Sequence, residues 1–289
     1  MLKDILKTVR PKQWAKNVFL LAAVVFDRKL TNVDAIIHTL LGVLAFSLIA
    51  SVVYIINDIA DVEADRQHPT KRYRPIAAGT LTTANAWALA FILLLIAIPG
   101  AYWLSPSFAL VALLYFILNL IYSKWLKHVV LIDIIVLASF YVIRVAAGVT
   151  LIDVVRFSPW IYIFTTFLAL LIGAGKRRAE LSLLTDGANA HRRVLDGYTL
   201  NFLDQIITLA AGMAIITYSL YSFSAPNLPE NHMMMLTIPF VMYAVFRYQY
   251  LLQVKDTGGA PEDIVLSDRP LQFAVALFGL AVLIVFYIS

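Results

Sequence analysis

Apolar residues run along this chain in nine long segments separated by shorter polar loops. They cover roughly Trp14–Phe26, Val33–Ile56, Ala84–Leu104, Phe108–Tyr122, Val129–Leu151, Trp160–Gly175, Leu200–Phe223, Met233–Leu252 and Leu271–Ile288. Runs of this length and apolarity predict membrane-spanning helices. The first is short for a span, which implies tilt or partial insertion. Before it, MLKDILKTVRPKQWAKN lacks a signal-peptidase pattern, and residues 1–13 read as a basic amphipathic segment lying at the membrane surface. The expected fold class is an all-α polytopic membrane protein with nine transmembrane helices, forming one domain over residues 1–289.

Composition sharpens that reading. The chain is 61% hydrophobic and 14% charged, with mean hydropathy +0.81. A soluble domain of this size carries far more charge. There is no cysteine, which excludes disulfides, thiol nucleophiles and thiolate metal sites. The net charge of +5 forms no stripe suited to nucleic acid. Basic residues here serve topology, anionic membrane phospholipid or a phosphate-bearing substrate. A homo-oligomer is compatible with the sequence, which holds no partner motif.

Charge also orients the spans. With the N-terminus in the cytoplasm, the inside loops hold Lys3, Lys7, Arg10, Lys12, Lys16, Arg66, Lys71, Arg72, Arg74, Lys124, Lys127, Lys176, Arg177, Arg178, Arg192, Arg193, Lys255 and Arg269. The outside loops hold Arg28, Lys29 and Arg156. This asymmetry predicts an inner-membrane protein with its N-terminus inside and its C-terminus outside. The large polar loops all fall on the inner side, so any chemistry is expected to be cytoplasmic.

The densest polar stretch is NDIADVEADRQHPTKRYRPIAAG, Asn57 to Gly79, at the end of the second apolar run. Asp58, Asp61 and Asp65 are spaced by three and four, which puts them on one face if the helix continues. Like charges so placed repel. A solvated helix end would relieve that, and so would Mg²⁺ shared with substrate phosphate oxygens and water. Lys71, Arg72 and Arg74 follow, able to pair phosphate, between Pro69 and Pro75, which stiffen the loop. Topology alone would call for these cations, but it needs no interleaved aspartates. The stretch therefore reads as a magnesium-diphosphate holder.

N-D-x-x-D-x-x-x-D after a hydrophobic helix, followed by HPTKRYRPIAAG, resembles the first signature of the UbiA superfamily of intramembrane prenyltransferases. That resemblance implies a UbiA-like helical bundle with catalytic Asn57, Asp58 and Asp61 and metal ligands Asp58, Asp61 and Asp65. The superfamily's second motif, D-x-x-x-D after the sixth helix, is absent. The loop there is GAGKRRAELSLLTDGANAHRRVLDGYT, with Asp186 and Asp196 ten apart and basic residues dominant. RPKQWAKN, YSKWLKHVVLIDIIVLASFYVIRVAAG, GKRRAEL and GGAPEDIVLSDR are similar to the decaprenyl-phosphate phosphoribosyltransferase branch. The branch implies 5-phosphoribosyl 1-diphosphate as donor, a polyprenyl phosphate as acceptor and Mg²⁺ as cofactor. Three anionic groups must then be held, which a Lys/Arg cluster suits better than a second carboxylate motif.

Lys16, Lys71, Arg72, Arg74, Lys124, Lys127, Lys176, Arg177 and Arg178 are the candidate substrate-binding cations. Each also has a plainer use in topology, snorkelling or helix C-terminal charge. Asn57 either orients ribose or a metal-bound water, or caps its helix. Arg144, deep in the fifth span, is either a structural partner or a pocket residue. Glu262, Asp263, Asp268 and Arg269 form either a second metal-ligand set, a lid hinged at Gly258 and Gly259, or a solvated loop. His68 and His128 lack paired-ligand spacing. Two rival functions remain open: isoprenyl transfer to an aromatic acceptor, and a non-catalytic transporter or scaffold.

Overall fold

The computed structural model describes residues 2–154, 157–185, 193–226, 228–255, 264–265 and 267–287, and among them there is no strand. The main helices are α1 Leu2–Val9, α2 Ala22–Phe26, α3 Val33–Ala60, α4 Val62–Gln67, α5 Thr83–Leu104, α6 Pro106–Lys124, α7 Ile132–Val149, α8 Pro159–Thr185, α9 Leu200–Ser224, α10 Ile238–Gln253 and α11 Arg269–Tyr287. Seven of these are long and apolar enough to cross a membrane: α3, α5, α6, α7, α8, α9 and α11. Of the nine predicted segments, the first forms a 3₁₀ helix, Pro11–Leu21, followed by the short α2. The eighth forms a 3₁₀ turn, Met233–Thr237, followed by the 16-residue α10.

Polar caps set where several spans begin. Asn32 accepts from the Ala35 amide (3.0 Å) at α3, Thr82 from Asn85 (3.2 Å) at α5 and Thr199 from Phe202 (3.2 Å) at α9. Ser105 closes α5 and opens α6, accepting from the Phe108 amide at 3.3 Å, with Pro106 in the first turn. Each side chain takes up a donor that the first helical turn leaves orphaned.

The chain divides into two compact units, Met1–Trp125 with Ile143–Val154, and Leu126–Val142 with Val155–Ser289. In the first unit α3 is the central element, packed against α1, the 3₁₀ segment, α5 and α6. Buried Ala86, Ala90, Ala97 and Ala101 form a small-residue stripe on α5, which permits close helix approach. The opposite side exposes Trp87, Phe91 and Leu95. The 3₁₀ segment has its own register with α3. Trp14 Nε1 donates to Ser51 Oγ (3.0 Å) and Asn17 Nδ2 to Ser47 Oγ (2.8 Å). Three residues of 3₁₀ helix rise about 6 Å, as do four residues of α-helix, so the two rungs stay level. Gly148 packs against this segment so closely that a Cβ would lie 2.1 Å from the Leu20 carbonyl oxygen.

In the second unit α8 and α9 pack most extensively, and α10 lies against α9 and α11. Gly175 lets α8 approach α10, since a Cβ there would meet Leu252 Cδ1 at 2.6 Å.

Candidate active site

The polar stretch that ends α3 is built on an apolar footing. Ile76 and Leu81, from the loop after α4, pack with Val52, Ile55, Ala86 and Ala90. That anchorage holds the basic segment Lys71–Arg74 beside the end of α3. Within the loop, the Leu81 amide donates to the Pro75 carbonyl (3.1 Å) and the Ala78 amide to the Arg74 carbonyl (2.8 Å). Gly79 takes φ +77°, a conformation that costs other residues a Cβ clash. His68 Nδ1 accepts from the Thr70 and Lys71 amides at 3.2 and 3.3 Å. Partial burial, with Lys71 beside it, holds the His68 pKa below the usual histidine range.

The helical path pauses at Asp61 and resumes at Val62. The Asp61 amide still donates to the Asn57 carbonyl (2.9 Å) and the Asp65 amide to the Asp61 carbonyl (2.8 Å). Seven residues are nearly two full turns, so Asp65 returns to the side of Asp58. Both are buried, whereas Asp61 is exposed. The three carboxylates expected on one face thus divide into a buried pair and an exposed third.

Two guanidinium groups hold the pair. Arg74 Nη1 donates to Asp58 Oδ1 at 2.9 Å and to Asp65 Oδ2 at 2.6 Å. Arg10 Nη2 donates to the same Asp58 Oδ1 at 2.6 Å. Arg10 also lies over the Tyr54 ring, 5.1 Å from its centroid. Its backbone is left-handed, φ 56° and ψ 60°. In the sequence Arg10 counts only as one of the inside topology charges. The available signal was the following Pro11, which disfavours right-handed helix at Arg10 and so ends α1 there. Helix α1 is tied down beside the site, with Lys7 Nζ donating to the Tyr73 carbonyl (2.6 Å) and Ser51 Oγ to the Val9 carbonyl (2.9 Å).

The donor set fits a magnesium ion. Oxygens of Asp58 and Asp65 converge on one position, which a cationic nitrogen occupies, and hard carboxylate oxygens are what Mg²⁺ selects. The described residues form no cluster of three or more metal-ligating side chains, so phosphate and water would complete the shell.

The other candidate cations are placed as follows. Lys71 and Arg72 are exposed, with Arg72 Nη2 donating to Tyr73 OH at 2.7 Å. Lys124 is exposed above the Trp125 ring, and Lys16, Lys127 and Lys176 are half-buried. Arg177 and Arg178, candidate phosphate-binding cations from the sequence, each have a carboxylate partner. Arg177, fully buried, donates through Nε to Asp133 Oδ2 (2.5 Å) and through Nη1 to Glu180 (2.6 Å). Asp133 Oδ1 accepts from Tyr198 OH (2.6 Å), which accepts from the Leu131 amide (2.6 Å). Burial and donation to Asp133 push the Tyr198 pKa far up, so the phenol stays protonated. Arg178 donates to Asp204 Oδ1 and to the Leu252 carbonyl, both at 2.7 Å.

Arg144, left between two roles by the sequence, is buried. Nε donates to Asn17 Oδ1 (2.8 Å) and Nη2 to Tyr115 OH (3.0 Å), with the Phe46 ring 5.7 Å away. Asp268 caps α11, accepting from the Leu271 amide at 2.8 Å, and pairs with Arg247 through both oxygens at 3.1 and 2.8 Å. Glu262, Asp263, Gly258, Gly259, Asp186 and Arg192 lie outside the described residues, as does the Arg193 side chain.

The UbiA prenyltransferase family model matches residues 18–262. A decaprenyl-phosphate phosphoribosyltransferase of Mycobacterium tuberculosis is 37% identical over 290 residues, covering 98% of this chain and 95% of its own length. One from Corynebacterium glutamicum is 34% identical over 293 residues, covering 98% and 87%. A UbiA homolog from Archaeoglobus fulgidus, solved with GPP and Mg²⁺ bound, superposes with TM-score 0.75 at 20% identity, over 98% of this chain and 99% of that one. At that identity the likeness is one of fold.

Proposed function

We propose that this chain, which belongs to the UbiA prenyltransferase family, transfers 5-phosphoribose from 5-phosphoribosyl 1-diphosphate to a polyprenyl phosphate of decaprenyl type. The products are polyprenyl-phosphoryl-5-phosphoribose and diphosphate. The observation that carries this reading is near full-length similarity, 34–37% identity, to relatives named decaprenyl-phosphate phosphoribosyltransferase. The chain is a transferase and a multi-pass membrane protein. The carboxylate pair beside a basic loop supports the same reading, because that combination suits a magnesium diphosphate.

Asp58 and Asp65, with the exposed Asp61, would hold Mg²⁺. When bound, the ion neutralises charge on the departing diphosphate. Lys71, Arg72 and Arg74 hold the diphosphate oxygens. Lys16 and Lys124, and in the second unit Lys127 and Lys176, are the further cations assigned to substrate phosphates. Arg177 and Arg178 position the end of α8 through their carboxylate partners. Asn57 is assigned to orient ribose or a metal-bound water, its alternative use being to cap the end of α3. The attacking lipid phosphate is already anionic, so no strong general base is needed. Placement and electrostatics supply most of the acceleration, and in-line attack inverts the anomeric carbon.

Nine spans remain the topology put forward here. Eleven 3₁₀ residues and five α residues reach about 30 Å, enough for the hydrocarbon core. Met233–Gln253 reaches about 34 Å by the same rises. The lysine and arginine asymmetry supports an inner-membrane location, with the carboxylates, the basic loop and the N-terminus cytoplasmic.

The test supplies radiolabelled 5-phosphoribosyl 1-diphosphate, Mg²⁺ and decaprenyl phosphate to purified protein and counts label in the organic phase. Label that requires Mg²⁺ and disappears in Asp58→Asn is expected. No label from protein that instead prenylates an aromatic acceptor would replace this reading with ordinary prenyl transfer.

A further inference from the structure

Asp58 Oδ1 accepts from two different arginines, and one nitrogen of Arg74 bridges Asp58 and Asp65. The two carboxylates are 3% and 4% exposed at the side chain. Buried like charges so close to a shared partner need a cation between them. A magnesium ion binds carboxylate oxygen at about 2.0–2.1 Å. It cannot occupy the position of the Arg74 nitrogen while that nitrogen remains.

Arg10 reaches Asp58 at a further cost. Its left-handed backbone is sterically unfavourable for a residue with a Cβ. The conformation is held by what surrounds it. The Gln13 amide donates to the Arg10 carbonyl (2.9 Å), Pro11 follows, and Ser51 fixes the preceding Val9 carbonyl. Strain of this kind persists where the surrounding structure enforces it, often at functional sites. Here its product is a second guanidinium aimed at the same carboxylate oxygen.

We propose that Arg10 and Arg74 are resident counter-cations of the Asp58/Asp65 pair, displaced when the divalent cation loads. This rests on the reading that these carboxylates hold the metal. Arg10 is then a positioning residue. Before loading, it shares with Arg74 the work of holding the two carboxylates together. Metal binding releases Arg74 from the pair and makes it available to the diphosphate, so the basic loop engages substrate phosphate only at a metal-loaded site. The two guanidinium groups set the metal affinity by competing for its ligands.

The experiment measures Mn²⁺ binding to the purified full chain without substrate, by the loss of the free Mn²⁺ resonance signal. Asn tolerates left-handed backbone, so Arg10→Asn removes the charge and keeps the turn. It is expected to bind Mn²⁺ roughly tenfold tighter than wild type. Arg10→Lys, which keeps the charge, should stay near wild type. Arg74→Gln gives a second, independent route to the same tightening if Arg10→Asn fails to fold. Unchanged or weaker binding in both neutral variants, with the site abolished by Asp58→Asn, would overturn the exchange and leave the metal assignment standing. Binding indifferent to Asp58→Asn would overturn the metal assignment, and the exchange with it. No detectable site in wild type or in either neutral variant would also overturn the exchange.

Discussion

Arg177→Met is the substitution that most sharply separates a structural arginine from a phosphate ligand. Arg177 and Asp133 are both fully buried, with the Nε–Oδ2 distance at 2.5 Å. Removing the arginine leaves the Asp133 carboxylate with the Tyr198 hydroxyl as its remaining described donor. Breaking a buried ion pair from one side costs about 3–5 kcal/mol, because the surviving charge is buried uncompensated. Glu180, the other carboxylate on Arg177, is 31% exposed, so water takes over much of its share. Tyr198→Phe removes one hydrogen bond to Asp133 and leaves the Leu131 amide short of its acceptor, at a cost of about 1–3 kcal/mol. The double variant Arg177→Met/Asp133→Leu removes both charges and should recover most of the loss. For a chain of this size, the single change corresponds to a fall on the order of 10 °C in midpoint. Intrinsic tryptophan fluorescence in detergent reads that midpoint, and the KM for the phosphoribosyl donor is measured on the same preparations. An Arg177→Met protein as stable as wild type but with a greatly raised donor KM would refute the structural role.

Three further outcomes are expected. Gly148→Ala forces a Cβ to within 2.1 Å of the Leu20 carbonyl oxygen, and backbone on one side cannot yield cheaply. About 1–3 kcal/mol of stability should be lost in the same thermal assay, whereas Gly100→Ala, with nothing within 4 Å, should have little effect. Asp58→Asn should lower transfer on the order of a hundredfold or more, read in the label assay at saturating Mg²⁺. At α11, the bond from Arg247 holds the Asp268 pKa below the usual carboxylate range. Its contribution is complete above the unfolded carboxylate value and is lost as pH falls through the lower folded one. Asp268→Ala should cost about 1 kcal/mol at neutral pH through loss of the helix cap and of the Arg247 pair together. A thermal-midpoint series below pH 5 should show this difference closing; a gap independent of pH would contradict the ion-pair contribution.

Much of the architecture was legible because membrane spans are a problem of length and apolarity. α3, α5, α6, α7, α8, α9 and α11 coincide with predicted runs, and their caps are Ser, Thr and Asn placed at the run boundaries. The carboxylate spacing likewise announced a helix-end cluster, since helical period alone brings Asp65 back over Asp58. The form of the segment after Arg10 was not legible. Its three-residue register is matched to Ser47 and Ser51, and that match exists only once the segment lies along α3.

The sequence by itself determined that this chain is a helical membrane protein, and it concentrated acid and base after Asn57. Those properties follow from local composition and helical period. Tertiary structure decided which charges meet. Arg10 reaches Asp58 across 48 residues through a left-handed turn. Arg177 lies beside Asp133 across 44 residues, and Asp268 pairs with Arg247 across 21. A charged side chain's role depends on its burial and its nearest opposite charge, and both are set by long-range packing that no local spacing encodes.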